Sequence, residues 1–153
     1  MRVLIVLALS AAPAFAQDGP KFDPAPVTDC LVADGGHDCI GVAAIACMEG
    51  EGGQTTLGMN TCLAAERNFW DGRLNDAYRS GMNNATPVRA DALRQMQRAW
   101  IGFRDAACDY DAGRYDAGRY EGGSLAATVL VQCQMELTAA QAMRLEASLG
   151  EGG

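Results

Sequence analysis

Six side chains, Leu93, Met96, Trp100, Phe103, Ala107 and Tyr110, recur at steps of 3, 4, 3, 4 and 3. Only a helix brings residues at that spacing onto one side, where they can be buried together. The pattern predicts a helix from Pro87 to about Tyr110. Thr86 supplies its N-cap, and Pro87 stands at the first helical position, where its missing N–H costs nothing. A second helical stretch runs from about Thr56 to Ser80, with Leu63, Arg67, Trp70, Leu74, Ala77 and Gly81 near one face. Gly81, Asn83 and Asn84 read as its stop. A third begins at Ser124, read as a cap, and reaches about Leu149, with Leu130, Cys133, Leu137 and Ala140 stepping 3, 4 and 3. No stretch alternates with the period of a strand, so the fold expected is all-α. Its architecture is a bundle of three longer helices plus a short N-terminal helix between Cys39 and Met48.

The start of the chain has a different character. Arg2 precedes an apolar run from Val3 to Ala12, and Ala14-Phe15-Ala16 forms an A-x-A site. Together they read as a cleavable signal peptide over residues 1–16. The run is too short to span a bilayer, and no other segment reads as membrane-spanning. The location expected is periplasmic or secreted. Residues 17–29, with Pro20, Pro24 and Pro26, read as an extended, flexible leader. One helical domain over residues 30–149 and a flexible tail over 150–153 complete the division.

All six cysteines, Cys30, Cys39, Cys47, Cys62, Cys108 and Cys133, fall after the signal segment. In an oxidising compartment an even count reads as three disulfides. Six cysteines allow fifteen pairings, and nothing in their spacing selects one. The chain has no C-x-x-C pair, and His37 is its only imidazole. Zinc and c-type haem therefore lack their usual ligand patterns, and no cofactor is expected.

Charge narrows the partners. Twelve Lys and Arg stand against nineteen Asp and Glu, a net charge of −7. Such a surface repels nucleic acid and anionic lipid and suits a basic partner. Catalytic candidates are sparse. His37 sits between Gly36 and Asp38 inside a cysteine-bounded loop, with no nucleophile beside it in sequence. The carboxylates Asp105, Asp109, Asp111, Asp116 and Glu121 suit a solvated acidic face as well as a pair of glycosidase acids. The reading is a binding protein rather than an enzyme. Trp70, Trp100 and Phe103 fall on apolar stripes and read as core. Arg104 and Asp105 are adjacent and face different directions on a helix, so each is expected to lock onto a neighbouring helix. Glu66 and Asp71 are the partners expected for Arg104. The tandem Tyr110-Asp-Ala-Gly-Arg and Tyr115-Asp-Ala-Gly-Arg repeat forms a glycine-broken loop. Its Asp111, Arg114, Tyr115, Asp116, Arg119, Tyr120 and Glu121 make the candidate partner-binding loop, since Tyr and Arg dominate binding hot spots.

Gln97-Arg98-Ala99-Trp100 with Phe103-Arg104-Asp105-Ala106-x-Cys108 resembles the signature of the LprI-like lysozyme-inhibitor family of exported bacterial proteins. Glu121-Gly122-Gly123-Ser124, nine residues before Cys133, is similar to it too, as are Met59-Asn60-x-Cys62 and Leu74-Asn75-x-x-Tyr78. The likeness covers about residues 47–148. It implies a helical domain with four family cysteines paired in sequence, Cys47 with Cys62 and Cys108 with Cys133. Cys30 and Cys39 are then left as an added local bridge. It also implies an inhibitor of a basic, lysozyme-type muramidase. A disulfide-stabilised envelope structural or interaction protein without inhibitory activity is the alternative.

Overall fold

A computed structural model describes residues 19–113 and 124–150. Its described residues form five α-helices and no strand: α1 (Ala25–Val32), α2 (Val42–Met48), α3 (Thr56–Asn84), α4 (Pro87–Asp111) and α5 (Ser124–Gly150). A short 3-10 turn, Gly36–Cys39, joins α1 to α2. The all-α bundle is thus the observed fold. Two short helices, not one, precede the three long ones.

The expected flexible leader is partly helix. Asp23 accepts the Ala25 N–H at 2.9 Å, and Pro24 and Pro26 sit where a helix tolerates proline, at and just after its cap. Val27 is completely buried, so α1 is held by packing rather than by propensity. Only residues before this turn can act as leader; positions 1–18 lie outside the described residues.

Helices α3 and α5 run parallel and pack along their length. Asn60 meets Thr128 (2.7 Å), Arg67 meets Gln134 (2.9 Å), and Arg73 makes a two-pronged ion pair with Glu146 (3.0 and 2.8 Å). Helix α4 returns in the opposite sense, with Gln97 against Gln141 and Cys108 bonded to Cys133. Leu63, Trp70, Leu74, Ala77, Met135, Ala139, Ala142 and Leu145 build the core between the parallel pair. α3 runs through Gly81 to Asn84 instead of stopping near Ser80. Gly81 is there for closeness: a Cβ on it would lie 2.9 Å from a Leu93 methyl and 3.3 Å from one of Leu149.

The stripe on α3 holds a carboxylate. Cys62, Leu63, Glu66, Trp70, Leu74, Ala77 and Gly81 form its buried face, and Glu66 is 0% exposed. Its Oε1 accepts the Gly41 N–H (2.6 Å) and the Trp70 Nε1–H (3.0 Å), and its Oε2 accepts the Ala44 N–H (2.6 Å). It thereby caps α2, whose first N–H groups have no partner within that helix. Gly41 carries a φ of 91°, a left-handed conformation that glycine adopts without strain. Arg67, assigned to this stripe from sequence, lies half-buried at its edge.

Three disulfides staple the described chain: Cys30–Cys39, Cys47–Cys62 and Cys108–Cys133. The second ties the end of α2 to α3, where the connecting loop presses on the helix. A Cβ on Gly58 would stand 2.0 Å from the Gly52 carbonyl oxygen.

Replacing Glu66 by Gln exchanges one acceptor for an amide that faces a backbone N–H. Leaving that buried donor unpaired is expected to cost about 2 kcal/mol, read as a lowered urea midpoint at unchanged slope. An unchanged midpoint would show that the cap is not a stability determinant. In α4 only Ala90 and Cys108 are buried, so the Cys108–Cys133 bridge bears much of its docking. The double variant Cys108→Ser/Cys133→Ser should lose about 3 kcal/mol. Amide exchange should accelerate in α4 before α3 and α5, because the least-packed unit opens first.

Candidate functional site

Helix α4 leans on α5 along one edge and stands off from α3. The gap is an open groove of about 480 Å³. Asp71, Leu74 and Tyr78 line it from α3, and Arg94, Arg98, Trp100 and Arg104 line it from α4. The Arg104 guanidinium lies over the Trp100 ring, 5.1 Å from its centre. Arg94 pairs with Asp91, and Asp71 accepts a hydrogen bond from Asn75 at 3.0 Å. The groove combines positive charge with an aromatic face, which suits planar or anionic groups. The arginine spacing of four residues, Arg94 to Arg98, was the one sign of this face in the sequence.

Arg104 and Asp105 do not lock neighbouring helices. The Arg104 Nε and one terminal nitrogen both donate to Asp105 Oδ1, at 2.9 and 2.7 Å. The long arginine stem lets the head group bend back to its neighbour although the two Cβ atoms diverge. Glu66 is unavailable to Arg104, since its oxygens are taken by Gly41, Ala44 and Trp70. Asp71 shares the groove with Arg104, but the hydrogen bond it makes is to Asn75.

Phe103 was read as core and is 60% exposed; Tyr110, on the same stripe, is 74% exposed. A strict seven-residue repeat drifts by about 20° per heptad around a straight helix. The row Leu93, Trp100, Ala107 stays half-buried against the bundle. The row Met96, Phe103, Tyr110 winds outward, half-buried at its first member and exposed at the next two. Trp100 is half-buried, shared between core and groove. Trp70 is fully buried.

In the candidate partner-binding loop, Asp111 is exposed at the last turn of α4. Arg114, Tyr115, Asp116, Arg119, Tyr120 and Glu121 lie outside the described residues. The loop's two roots, Gly113 and Ser124, belong to the half of the bundle that also carries the N-terminal segment. Cys108–Cys133 and Cys47–Cys62 mark that half, and α2 abuts it through Gly41, a Cβ on which would be 3.7 Å from Met135.

Charge is unevenly spread. Residues 19–53 contain Asp23, Asp29, Asp34, Asp38, Glu49 and Glu51 against a single Lys21, and all six acids are exposed. In residues 54–113 and 124–150, eight Arg face nine Asp or Glu. Nearly all the acid surplus of the described residues therefore sits on the disulfide-stapled cap made by α1, the 3-10 turn and α2. His37 is exposed within this cap. The six cysteines are all bonded, and among the described residues no three His, Cys, Asp or Glu side chains gather as a metal site. No described helix is long and apolar enough to cross a membrane.

No curated protein and no solved structure matches the chain. A family described as Lysozyme inhibitor LprI matches residues 47–145, from the last turn of α2 to the late part of α5. That span holds the α3–α4 groove, the capping Glu66 and two of the three disulfides, and it omits most of the acidic cap. The chain belongs to the Lysozyme inhibitor LprI family.

Proposed function

We propose that this chain is an exported inhibitor that blocks a basic, lysozyme-type muramidase, and that it acts by binding rather than by catalysis. The family match supports the class of function. The observation that carries the reading on this chain is the confinement of its acid surplus to one stapled pole. A basic enzyme approaching the molecule meets there a field of one sign, which speeds encounter and fixes orientation. The Cys30–Cys39 and Cys47–Cys62 disulfides and the buried carboxylate under α2 keep that pole rigid, so little ordering entropy is lost on binding. Asp111 and the loop from Arg114 to Glu121 start from the same half of the bundle and supply the proposed contact with the enzyme's cleft. The signal-like residues 1–16 support export to the periplasm or beyond.

In a lysis assay with cell-wall substrate and a basic lysozyme, the purified oxidised chain should suppress activity in proportion to its concentration. The effect should weaken between about 20 and 200 mM salt, as screening shortens the reach of the acidic pole. The combined variant Asp29→Asn, Asp34→Asn, Asp38→Asn and Glu49→Gln should need roughly tenfold more protein for the same inhibition, chiefly through slower association. Undiminished lysis at a large molar excess and low salt would sink the reading.

A further inference from the structure

Beside the row Leu93, Trp100, Ala107 that it turns to the bundle, helix α4 carries a second seam that includes the outward-winding Met96, Phe103 and Tyr110. Ala92, Met96, Ala99, Phe103, Ala106 and Tyr110 step 4, 3, 4, 3 and 4 along its outer side. Every member except Met96 is exposed. Met96 borders α5, where the Arg144 guanidinium lies 2.7 Å from its sulfur. This is the spacing of the a and d positions of a coiled coil. Large side chains (Met96, Phe103, Tyr110) hold one set of positions, and alanine (Ala92, Ala99, Ala106) holds the other. Among the described residues no contact accounts for the size of Phe103 or Tyr110.

We propose that this face binds a second copy of the chain, with the two α4 helices antiparallel across a two-fold axis near Ile101–Gly102. In antiparallel pairs each a position faces a d position of the partner helix. Laying α4 against its own reverse about that axis puts Phe103 opposite the second copy's Ala99, Tyr110 opposite its Ala92, and Met96 opposite its Ala106. Each bulky group meets an alanine, and the two-fold repeats every contact, as an isologous interface requires. A chance apolar face would set some large groups against each other in this register; here none is. This self-complementarity favours a second copy over an unrelated partner.

Gly102 is compatible with such a pairing. A Cβ there would meet nothing within 4 Å, so no contact among the described residues requires glycine. Glycine in mid-helix nevertheless destabilises a helix relative to alanine. At the level of the axis and flanking the seam, its bare backbone lets two helices approach closely. The seam extends about 27 Å from Ala92 to Tyr110, taking the usual rise per residue. One helix pair of that length lies at the small end of specific interfaces, below about 1,200 Å², so the dimer forms reversibly with concentration. The inference does not rest on lysozyme inhibition: the seam lies on α4 and the acidic pole on α1, the 3-10 turn and α2, and only the Tyr110 end of the seam adjoins Asp111 of the proposed enzyme contact.

Sedimentation velocity on the oxidised full chain, from about 1 µM to 1 mM as the interface size directs, should show a monomer–dimer equilibrium. Phe103→Asp and Phe103→Ala should each shift the midpoint to at least tenfold higher concentration. Ala99→Phe should do likewise, by opposing two phenyl rings. The swap Ala99→Phe/Phe103→Ala restores a large–small pair by symmetry and should return the midpoint towards the parent value. Thermal unfolding of each variant confirms that the exposed positions leave the fold intact. A parent chain that stays monomeric throughout, or a folded double swap no better than its single variants, overturns the proposal.

Discussion

The carboxylate of Glu66 is the point on which the N-terminal half of this protein depends. A helix of seven residues, α2, cannot stand alone in water. Its free N–H groups must be paired, and here the pairing comes from a side chain of a different helix. Two backbone N–H groups and the Trp70 indole converge on one carboxylate shielded from water. Removing the carboxylate leaves three buried donors without their partner, and removing any donor leaves the charge less compensated, so helix, indole and acid are coupled. The Cys47–Cys62 bond then fixes the far end of α2 to the same face of α3. The acidic cap is therefore not a loose appendage; it is seated on the core at both ends of its second helix.

The helical framework was largely legible. Thr86-Pro87 opens α4, its Thr86 hydroxyl accepting the Arg89 N–H, and the apolar spacing sets the long helices within a few residues of their ends. The N-terminal segment was harder. Three prolines read as a break, yet Pro24 and Pro26 fall at a helix start, and Asp23 supplies the turn that makes the start possible. Composition cannot tell a proline that ends a helix from one that begins it.

The site was less legible, for reasons of direction rather than residue type. Arg67 and Glu66 are neighbours on α3, and a one-residue rotation decides which is buried. Counting apolar steps fixes that rotation only to within one position. A carboxylate three residues after Leu63 and four before Trp70 was the available sign. On α4 the heptad row drifted outward, so Phe103 and Tyr110 left the core while still obeying its spacing. Arg104 bent back to Asp105, a local pairing that arguments about helix faces exclude and a flexible guanidinium stem allows. The family likeness carried the broad function, because it rests on motif order rather than on side-chain direction.

The disulfides join the cysteines strictly in the order in which they occur, at separations of 9, 15 and 25 residues. No bridge encloses or crosses another. A chain that emerges N-terminus first can therefore close each bond as soon as its second cysteine appears, with the third pair still reduced and out of reach. First-come oxidation and the native pattern coincide. Maturation of this protein needs an oxidant but no reshuffling of mispaired bonds, and its yield should depend little on how quickly the rest of the chain follows.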